Sequence, residues 1–164
     1  MGTTGAQLDR WCRDNVRNFG GVYCADTVPS PYRPSDIAYI INHSPCSSPT
    51  GGTHWLACRV RGSRAEWFDS YGLPPDAPLE NMLMGSPHDP PPHFYEWLDS
   101  MGVTDISYNP RDIQSVYSEV CGLYACYFCK HGSPSKNNPA WAFVSTNVNA
   151  NDNKIKDLVK IKLG

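Results

Sequence analysis

Three features that would place a protein in a large functional class are missing from this sequence. It contains no apolar run long enough to cross a bilayer and opens with no signal peptide, so we expect neither membrane insertion nor secretion. Its 14 lysines and arginines against 16 acidic residues leave a formal charge of −2, which does not indicate a nucleic-acid surface but leaves room for a local basic patch. Its seven cysteines are odd in number and follow no framework spacing, so reduced thiols in a nuclear or cytosolic compartment are expected.

Turn-forming residues are abundant instead. The 164 residues include 15 prolines and 13 glycines, a density that favours loops and argues against a helical bundle. A chain of this length is expected to fold as one domain, residues 1–164, with a core large enough to need no cross-links.

Hydrophobic periodicity predicts both helices and strands. Helical spacing is found at 6–17, in a segment that begins at 35–36 with Ile37, Ile40 and Ile41 on one face, at 94–101 and at 121–130. Strands are predicted at 53–60, 65–71 and 106–108, with Gly62 and Ser63 forming a hairpin turn between the first two. Beyond Gly132 the chain is predicted to be irregular until a terminal segment, 155–163.

One cysteine lies where a reactive thiol is expected. Cysteine hydrolases need a thiolate, a base that holds its proton, and donors for the oxyanion that forms on attack. Cys121 begins the apolar segment 121–130, and a helix N-terminus favours the negative charge of a thiolate. Gly122 follows it and would let a substrate backbone approach closely. A single cysteine is more often a packed core thiol, so its neighbours decide between the two interpretations.

A histidine, an acid and an amide are placed to complete such a site. His54 follows a glycine-rich turn and begins the first strand, and Trp55 after it can wall the imidazole. Asp69 ends the second strand, so hairpin pairing would bring its carboxylate to the imidazole. Gln114 precedes the cysteine helix and offers an amide to an oxyanion. Each residue alone has an ordinary structural explanation, but their joint occurrence in this order favours catalysis.

The segments that carry these residues resemble those of the adenovirus protease family, the adenains. The matching segments are Gly51-Gly52-Thr53-His54-Trp55-Leu56-Ala57, Trp67-Phe68-Asp69-Ser70-Tyr71-Gly72, Gln114, and Cys121-Gly122-Leu123-Tyr124. The likeness covers residues 1–131 and leaves a divergent segment, 132–164. It implies an α+β fold, a small mixed sheet flanked by helices. The same clan includes proteases that process SUMO and other ubiquitin-like proteins.

The resemblance also implies a role for each residue. Cys121 would attack the substrate carbonyl, His54 would transfer the proton, and Asp69 would hold the imidazole in its useful tautomer. Gln114 and the backbone N–H of Cys121 would form the oxyanion hole. The residues expected to line a narrow cleft for glycine-rich substrates are Gly51, Gly52, Trp55 and Gly122.

The resemblance favours a viral maturation endopeptidase that processes virion precursor proteins. Such an enzyme needs no metal or other cofactor, and its expected location is the infected nucleus or cytoplasm, or the virion itself. A short viral peptide is a candidate activator. The relatives attach theirs through a cysteine before the glutamine, where this chain has 102–104 without one. This departure and the short segment after Cys121 argue against a disulfide tether and against stimulation by DNA.

Three alternatives remain open from the sequence. A protease for ubiquitin or ubiquitin-like proteins is one, because those enzymes carry an aspartate where adenains have glutamate, and this chain has Asp69. A metal-binding interaction module is another, since Cys126, Cys129 and His131 are closely spaced, although structural zinc usually takes two ligand pairs. A catalytically inactive scaffold is the third, and the presence of all four chemical residues argues against it.

Overall fold

The structure is a computed structural model that describes residues 2–29, 35–48, 54–78 and 89–162. Its helices and strands, in chain order, are α1 (Gly5–Asn15), β1 (Phe19–Tyr23), β2 (Ile37–Asn42), β3 (Trp55–Arg61), β4 (Arg64–Phe68), α2 (Phe94–Ser100), β5 (Asp105–Tyr108), α3 (Cys121–His131) and α4 (Val148–Leu158). A 3₁₀ turn, Pro139–Trp141, lies between α3 and α4. None of the helices in these ranges has the length and apolarity needed to span a membrane.

The five strands form one mixed sheet in the order of the chain, β1-β2-β3-β4-β5. The two outer pairs, β1 with β2 and β4 with β5, are parallel, whereas the inner pairs are antiparallel. This arrangement confirms the predicted α+β class with a mixed sheet.

Helices cover both faces of the sheet, and each face has its own core. On one face α1, α3 and α4 pack against Ala38, Ile40, Ala57 and Phe68. On the other, α2 places Phe94, Trp97 and Leu98 against the opposite side of β2, β3 and β4. Residues 121–129 of α3 are all buried, so the helix that begins with Cys121 is held from every side. Full burial of one large apolar side chain contributes about 1.5–3 kcal/mol, which makes the start of α3 a rigid point of the fold.

The hairpin of β3 and β4 was predicted correctly. Arg61 pairs with Arg64, so Gly62 and Ser63 form a two-residue turn. Gly62 has φ +61°, a conformation that glycine adopts without strain. The predicted helices at 6–17, 94–101 and 121–130 also form, with boundaries displaced by one or two residues.

The prediction of a helix from 35–36 onward is wrong, because this segment forms the inner strand β2. Ile37, Ile40 and Ile41 have helical spacing, but the intervening Ala38 and Tyr39 are buried as well. A strand covered on both faces is apolar throughout and shows no alternation, so its periodicity can resemble that of a buried helix.

The C-terminal segment is more ordered than predicted. Helix α4 spans Val148–Leu158, whereas the sequence analysis expected irregular chain until residue 155. The side chain of Asn147 accepts a hydrogen bond from the backbone N–H of Ala150 and caps the helix. The first half of α4 shows no apolar face in the sequence, because the residues that it buries before Ile155 are the polar Asn151 and Asp152.

The expectation that all seven cysteines are reduced is also wrong. Cys24 and Cys46 form a disulfide between the loops that follow β1 and β2. These strands are parallel neighbours, so their ends bring the two cysteines together although 22 residues separate them in sequence. The other five cysteines are free and buried.

Candidate active site

His54 and Asp69 meet at one end of the β3–β4 hairpin. His54 directly precedes β3 and Asp69 directly follows β4, so the antiparallel pairing places them side by side. The Nε2 of His54 donates to Oδ1 of Asp69 at 2.7 Å, and the N–H of Tyr71 donates to the same oxygen at 2.8 Å. Both side chains are buried, with residue exposures of 1% for His54 and 3% for Asp69. The contact predicted from the sequence is therefore present.

Cys121 lies at the start of α3, next to the same end of the hairpin. The backbone N–H of Trp55 donates to its Sγ at 3.4 Å, which places the sulfur beside the residue that follows His54. The other ring nitrogen of His54, Nδ1, is buried and has no hydrogen-bond partner in the part of the chain that the structure describes. His54 is thus hydrogen-bonded to Asp69 through Nε2, and its Nδ1 remains available to the Cys121 thiol.

The electrostatics of the pair favour a protonated imidazole. Burial alone would lower the pKa of His54, but the charge and hydrogen bond of Asp69 and the interaction with the neighbouring Cys121 side chain outweigh it and raise the pKa to about 10. At neutral pH the ring is then an imidazolium, which is the partner that stabilises a cysteine thiolate.

Gln114 lies against the residue that follows Asp69 in the chain. The hydroxyl of Ser70 donates to Oε1 of Gln114, and this bond fixes which end of the amide is the donor. The Nε2 group donates to the backbone oxygen of Ser118 at 3.1 Å and to its Oγ at 3.2 Å. Gln114 is buried, with 1% exposure, so the alternative of an ordinary surface amide is excluded.

Donation by Gln114 to an oxyanion would require one N–H to leave its Ser118 partner. The Ser118 hydroxyl is the exchangeable one, because it has a second partner of its own and donates to the Ser115 backbone oxygen at 3.0 Å. The backbone N–H of Cys121 lies in the first turn of α3, where helix geometry supplies no internal acceptor.

Two neighbours of the site were not singled out from the sequence. Tyr71 stacks on the His54 ring, with centroids 4.5 Å apart and planes inclined by 21°. Ser70 orients Gln114 through the hydrogen bond to its amide oxygen. Ser70 and Tyr71 are the two residues after Asp69, so their place in the chain beside the acid was the available signal. Only the turn after β4 shows which groups their side chains contact.

Trp55 and Gly122 pack against the N-terminal segment. The indole N–H of Trp55 donates to the backbone oxygen of Thr3 at 3.2 Å. A Cβ added to Gly122 would collide with the Thr3 hydroxyl and press on Leu8 and Trp55. Packing of the N-terminal segment therefore requires a residue without a side chain at position 122. Contact of Gly122 with a substrate stays a prediction.

The predicted cleft glycines, Gly51 and Gly52, lie outside the described residues. Their contact with a substrate beside Cys121 therefore stays a prediction as well.

The cysteines considered for metal binding are packed in the core. Cys126 and Cys129 are buried on α3, and Cys12 of α1 approaches Cys126 with 3.5 Å between the sulfurs. Across the described residues, the one group of three metal-binding side chains within 4.8 Å of each other is Cys24, Asp26 and Cys46. Two of those three are joined in the disulfide.

The titration of His54 is open to a direct test. Because its pKa is raised by Asp69, the ion pair stabilises the folded state below the unfolded pKa of about 6.5 and loses this effect as the pH rises through about 10. In Asp69→Asn we expect NMR of the imidazole nitrogens to show a lower pKa. We also expect the unfolding free energy of wild type to exceed that of the variant most below neutral pH, with the difference shrinking toward pH 10.

Asp99→Asn is the matched control, because this carboxylate is exposed on α2. It should leave the His54 titration unchanged. A wild-type His54 pKa of about 6.5, or one that Asp69→Asn does not change, would contradict the ion pair.

No model of a known protein family matches the chain, and no curated protein is similar to it.

Proposed function

We propose that this chain is a cysteine endopeptidase with Cys121 as its nucleophile. The observation that supports this best is the buried His54, which is bonded to Asp69 through Nε2 and has an unpartnered Nδ1 among the described residues, on the side of a thiol at a helix start. A structural histidine in a protein core normally has both ring nitrogens satisfied. An imidazole with one nitrogen committed and one left unpaired is suited to take up and return a proton.

The acylation step follows from this arrangement. The thiolate of Cys121 attacks the substrate carbonyl carbon, an S–C bond forms, and the carbonyl π electrons move to the oxygen. Gln114 and the Cys121 backbone N–H stabilise that oxyanion. The imidazolium of His54 gives its Nδ1 proton to the amide nitrogen, the C–N bond breaks, and the amine product leaves a thioester on Cys121.

Deacylation reverses the proton transfer. Neutral His54 takes a proton from water, and the hydroxide oxygen attacks the thioester carbonyl. The S–C bond then breaks, and its electron pair restores the Cys121 thiolate beside the imidazolium. Throughout both steps Asp69 keeps Nε2 protonated, so that Nδ1 is always the nitrogen that exchanges the proton.

The proposed substrates are polypeptides cleaved after glycine-rich sequences, and the proposed context is maturation of virion precursor proteins in an infected cell. The support is the motif resemblance of His54, Asp69, Gln114 and Cys121 to adenovirus proteases. The identity of the acid favours the second candidate, a protease for ubiquitin-like proteins, because Asp69 agrees with that branch of the clan. Both candidates share the same chemistry and differ in the size of substrate that must be bound.

Profiling a peptide library with the purified chain tests the proposal. We expect cleavage after glycine-rich sequences that Cys121→Ala abolishes. The same preparation is offered ubiquitin and SUMO fused to a reporter at their C-termini. Cleavage of short peptides but not of the fusions supports the maturation enzyme, whereas preferential cleavage of a fusion supports the alternative. Absence of any thiol-dependent cleavage contradicts both.

We predict that an activating peptide, if added, acts without a disulfide to region 102–104. This region connects α2 to β5, the Val103 N–H donates to the Leu98 backbone oxygen, and the region contains no thiol. Activity of the isolated chain is measured with and without reductant, candidate viral peptides and DNA. A chain that is inert alone and switched on only by a disulfide-linked peptide would show that the prediction is wrong.

The double variant Cys24→Ser, Cys46→Ser is the control for that experiment. It lacks the disulfide that a reductant would open, so any remaining effect of reductant on activity must come from another thiol.

A further inference from the structure

The backbone on both sides of Gln114 is held by helix α4. The side-chain Nδ2 of Asn151 donates to the backbone oxygen of Ile113 at 3.2 Å. The backbone N–H of Ser115 donates to Oδ2 of Asp152 at 3.2 Å. Asn151 and Asp152 are adjacent on α4. One turn of this helix therefore forms hydrogen bonds with both neighbours of Gln114, the residue before it and the residue after it.

The same carboxylate also contacts the helix that carries the nucleophile. Tyr124 lies three residues after Cys121 on α3, and its hydroxyl donates to Oδ1 of Asp152 at 2.8 Å. Burial and the nearby Asp152 raise the pKa of Tyr124, so the hydroxyl keeps its proton and remains the donor. Asp152 therefore links two parts of the candidate site, one oxygen bonding the Gln114 segment and the other bonding α3.

Apolar packing of α4 does not account for the buried carboxylate of Asp152. Asn151 is fully buried and Asp152 is 5% exposed, and burying a carboxylate is unfavourable unless it is well paired. Across the described ranges Asp152 forms hydrogen bonds and no ion pair. Ile155 and Val159 of the same helical segment are fully buried apolar residues, so α4 already has an apolar contact with the core. The carboxylate of Asp152 instead accepts two hydrogen bonds, which fix the positions of Ser115 and Tyr124 relative to each other.

We propose that Asn151, Asp152 and Tyr124 are positioning residues that fix the position of Gln114 relative to Cys121. The C-terminal helix, which lies outside the resemblance to known proteases, thereby becomes part of the oxyanion-hole support. This inference rests on the proposed function, since it assigns Gln114 the task of oxyanion donor. The three residues do not touch the substrate in this scheme, and they act through the segment 113–115.

The test compares variants of Asp152 in peptide cleavage. Asp152→Ala removes both acceptors, and because misplacement of a catalytic group by about 1 Å can cost about 100-fold, we expect kcat to fall about 10- to 100-fold with KM little changed. Asp152→Asn keeps an oxygen for the Ser115 N–H and should recover most of kcat. Asp157→Ala removes an exposed carboxylate from the same helix and should change neither constant.

A double-mutant cycle separates positioning from general structural damage. In a Gln114→Ala background, Asp152→Ala should lower kcat by less than about threefold further, because the donor it positions is already gone. Alkylation of Cys121 by iodoacetamide should keep its wild-type rate in Asp152→Ala, since displacement at a saturated carbon forms no oxyanion. Should Asp152→Ala not fold, Tyr124→Phe replaces it in the cycle, with an expected loss on the order of fivefold from one hydrogen bond.

The inference is overturned if kcat of the Asp152 variant stays within about threefold of wild type, or if the loss is the same with and without Gln114. These outcomes leave the proposed protease intact, because they presuppose cleavage that depends on Cys121. Cleavage that survives Cys121→Ala would instead reject the protease assignment itself.

Discussion

Replacing Cys121 with alanine is expected to lower kcat for peptide cleavage by at least about 10⁴-fold, the scale seen when the nucleophile of a hydrolase is removed. The reason is that in the proposed mechanism Cys121 alone forms the covalent intermediate, whereas the roles proposed for His54, Asp69 and Gln114 are to move protons and stabilise charge. The measurement is steady-state cleavage of a glycine-rich peptide, together with labelling by a thiol-directed electrophile. Both signals should disappear.

Cys58→Ala and Cys126→Ala are the matched controls. Burial raises the pKa of each of these thiols, so they remain protonated and unreactive and their loss should leave the labelling of Cys121 in place. Because both are core residues, thermal unfolding of each variant is recorded to correct for any loss of folded protein. Undiminished cleavage by Cys121→Ala would remove the basis of the proposed mechanism.

Gln114→Ala is expected to lower kcat by about 100- to 1000-fold while KM changes little, because an oxyanion donor acts mainly in the transition state. Gln114→Glu should be at least as damaging, since it places a carboxylate beside the developing negative charge. The glutamate variant also leaves the Ser70 hydroxyl with an acceptor, so its effect reports the lost donor and not a lost contact.

Asn153→Ala provides the comparison for Gln114→Ala, because it removes an exposed amide on α4. Its kcat should equal that of wild type. Near-normal kcat in Gln114→Ala, with wild-type folding, would mean that this buried amide only joins Ser70 to Ser118.

Local signals in the sequence were sufficient for much of the scaffold. The turn at Gly62 and Ser63 specifies the β3–β4 hairpin, and a two-residue turn fixes the strand register. With that register, the positions of His54 before β3 and Asp69 after β4 already imply that the two meet. The apolar segment from Cys121 likewise predicts a helix whose first residue is the cysteine. The contact between His54 and Asp69 thus depends on interactions between residues that are close in sequence.

Other features depend on contacts that no local pattern encodes. The segment of β2 is apolar on every side because two helical layers cover it, and its spacing alone could not distinguish a strand from a helix. The disulfide of Cys24 and Cys46 follows from the parallel pairing of β1 and β2, which only the assembled sheet shows.

The sequence by itself determined the candidate chemical residues of the site, the hairpin that joins His54 to Asp69, and the helix that begins at Cys121. Only the tertiary structure decided how Gln114 is held, because Asp152 lies 37 residues beyond Ser115 and reaches it through the packing of α4 on α3. The physical reason is that turn chemistry and hydrophobic periodicity act over a few residues, whereas a buried polar contact is selected by the geometry of the whole core.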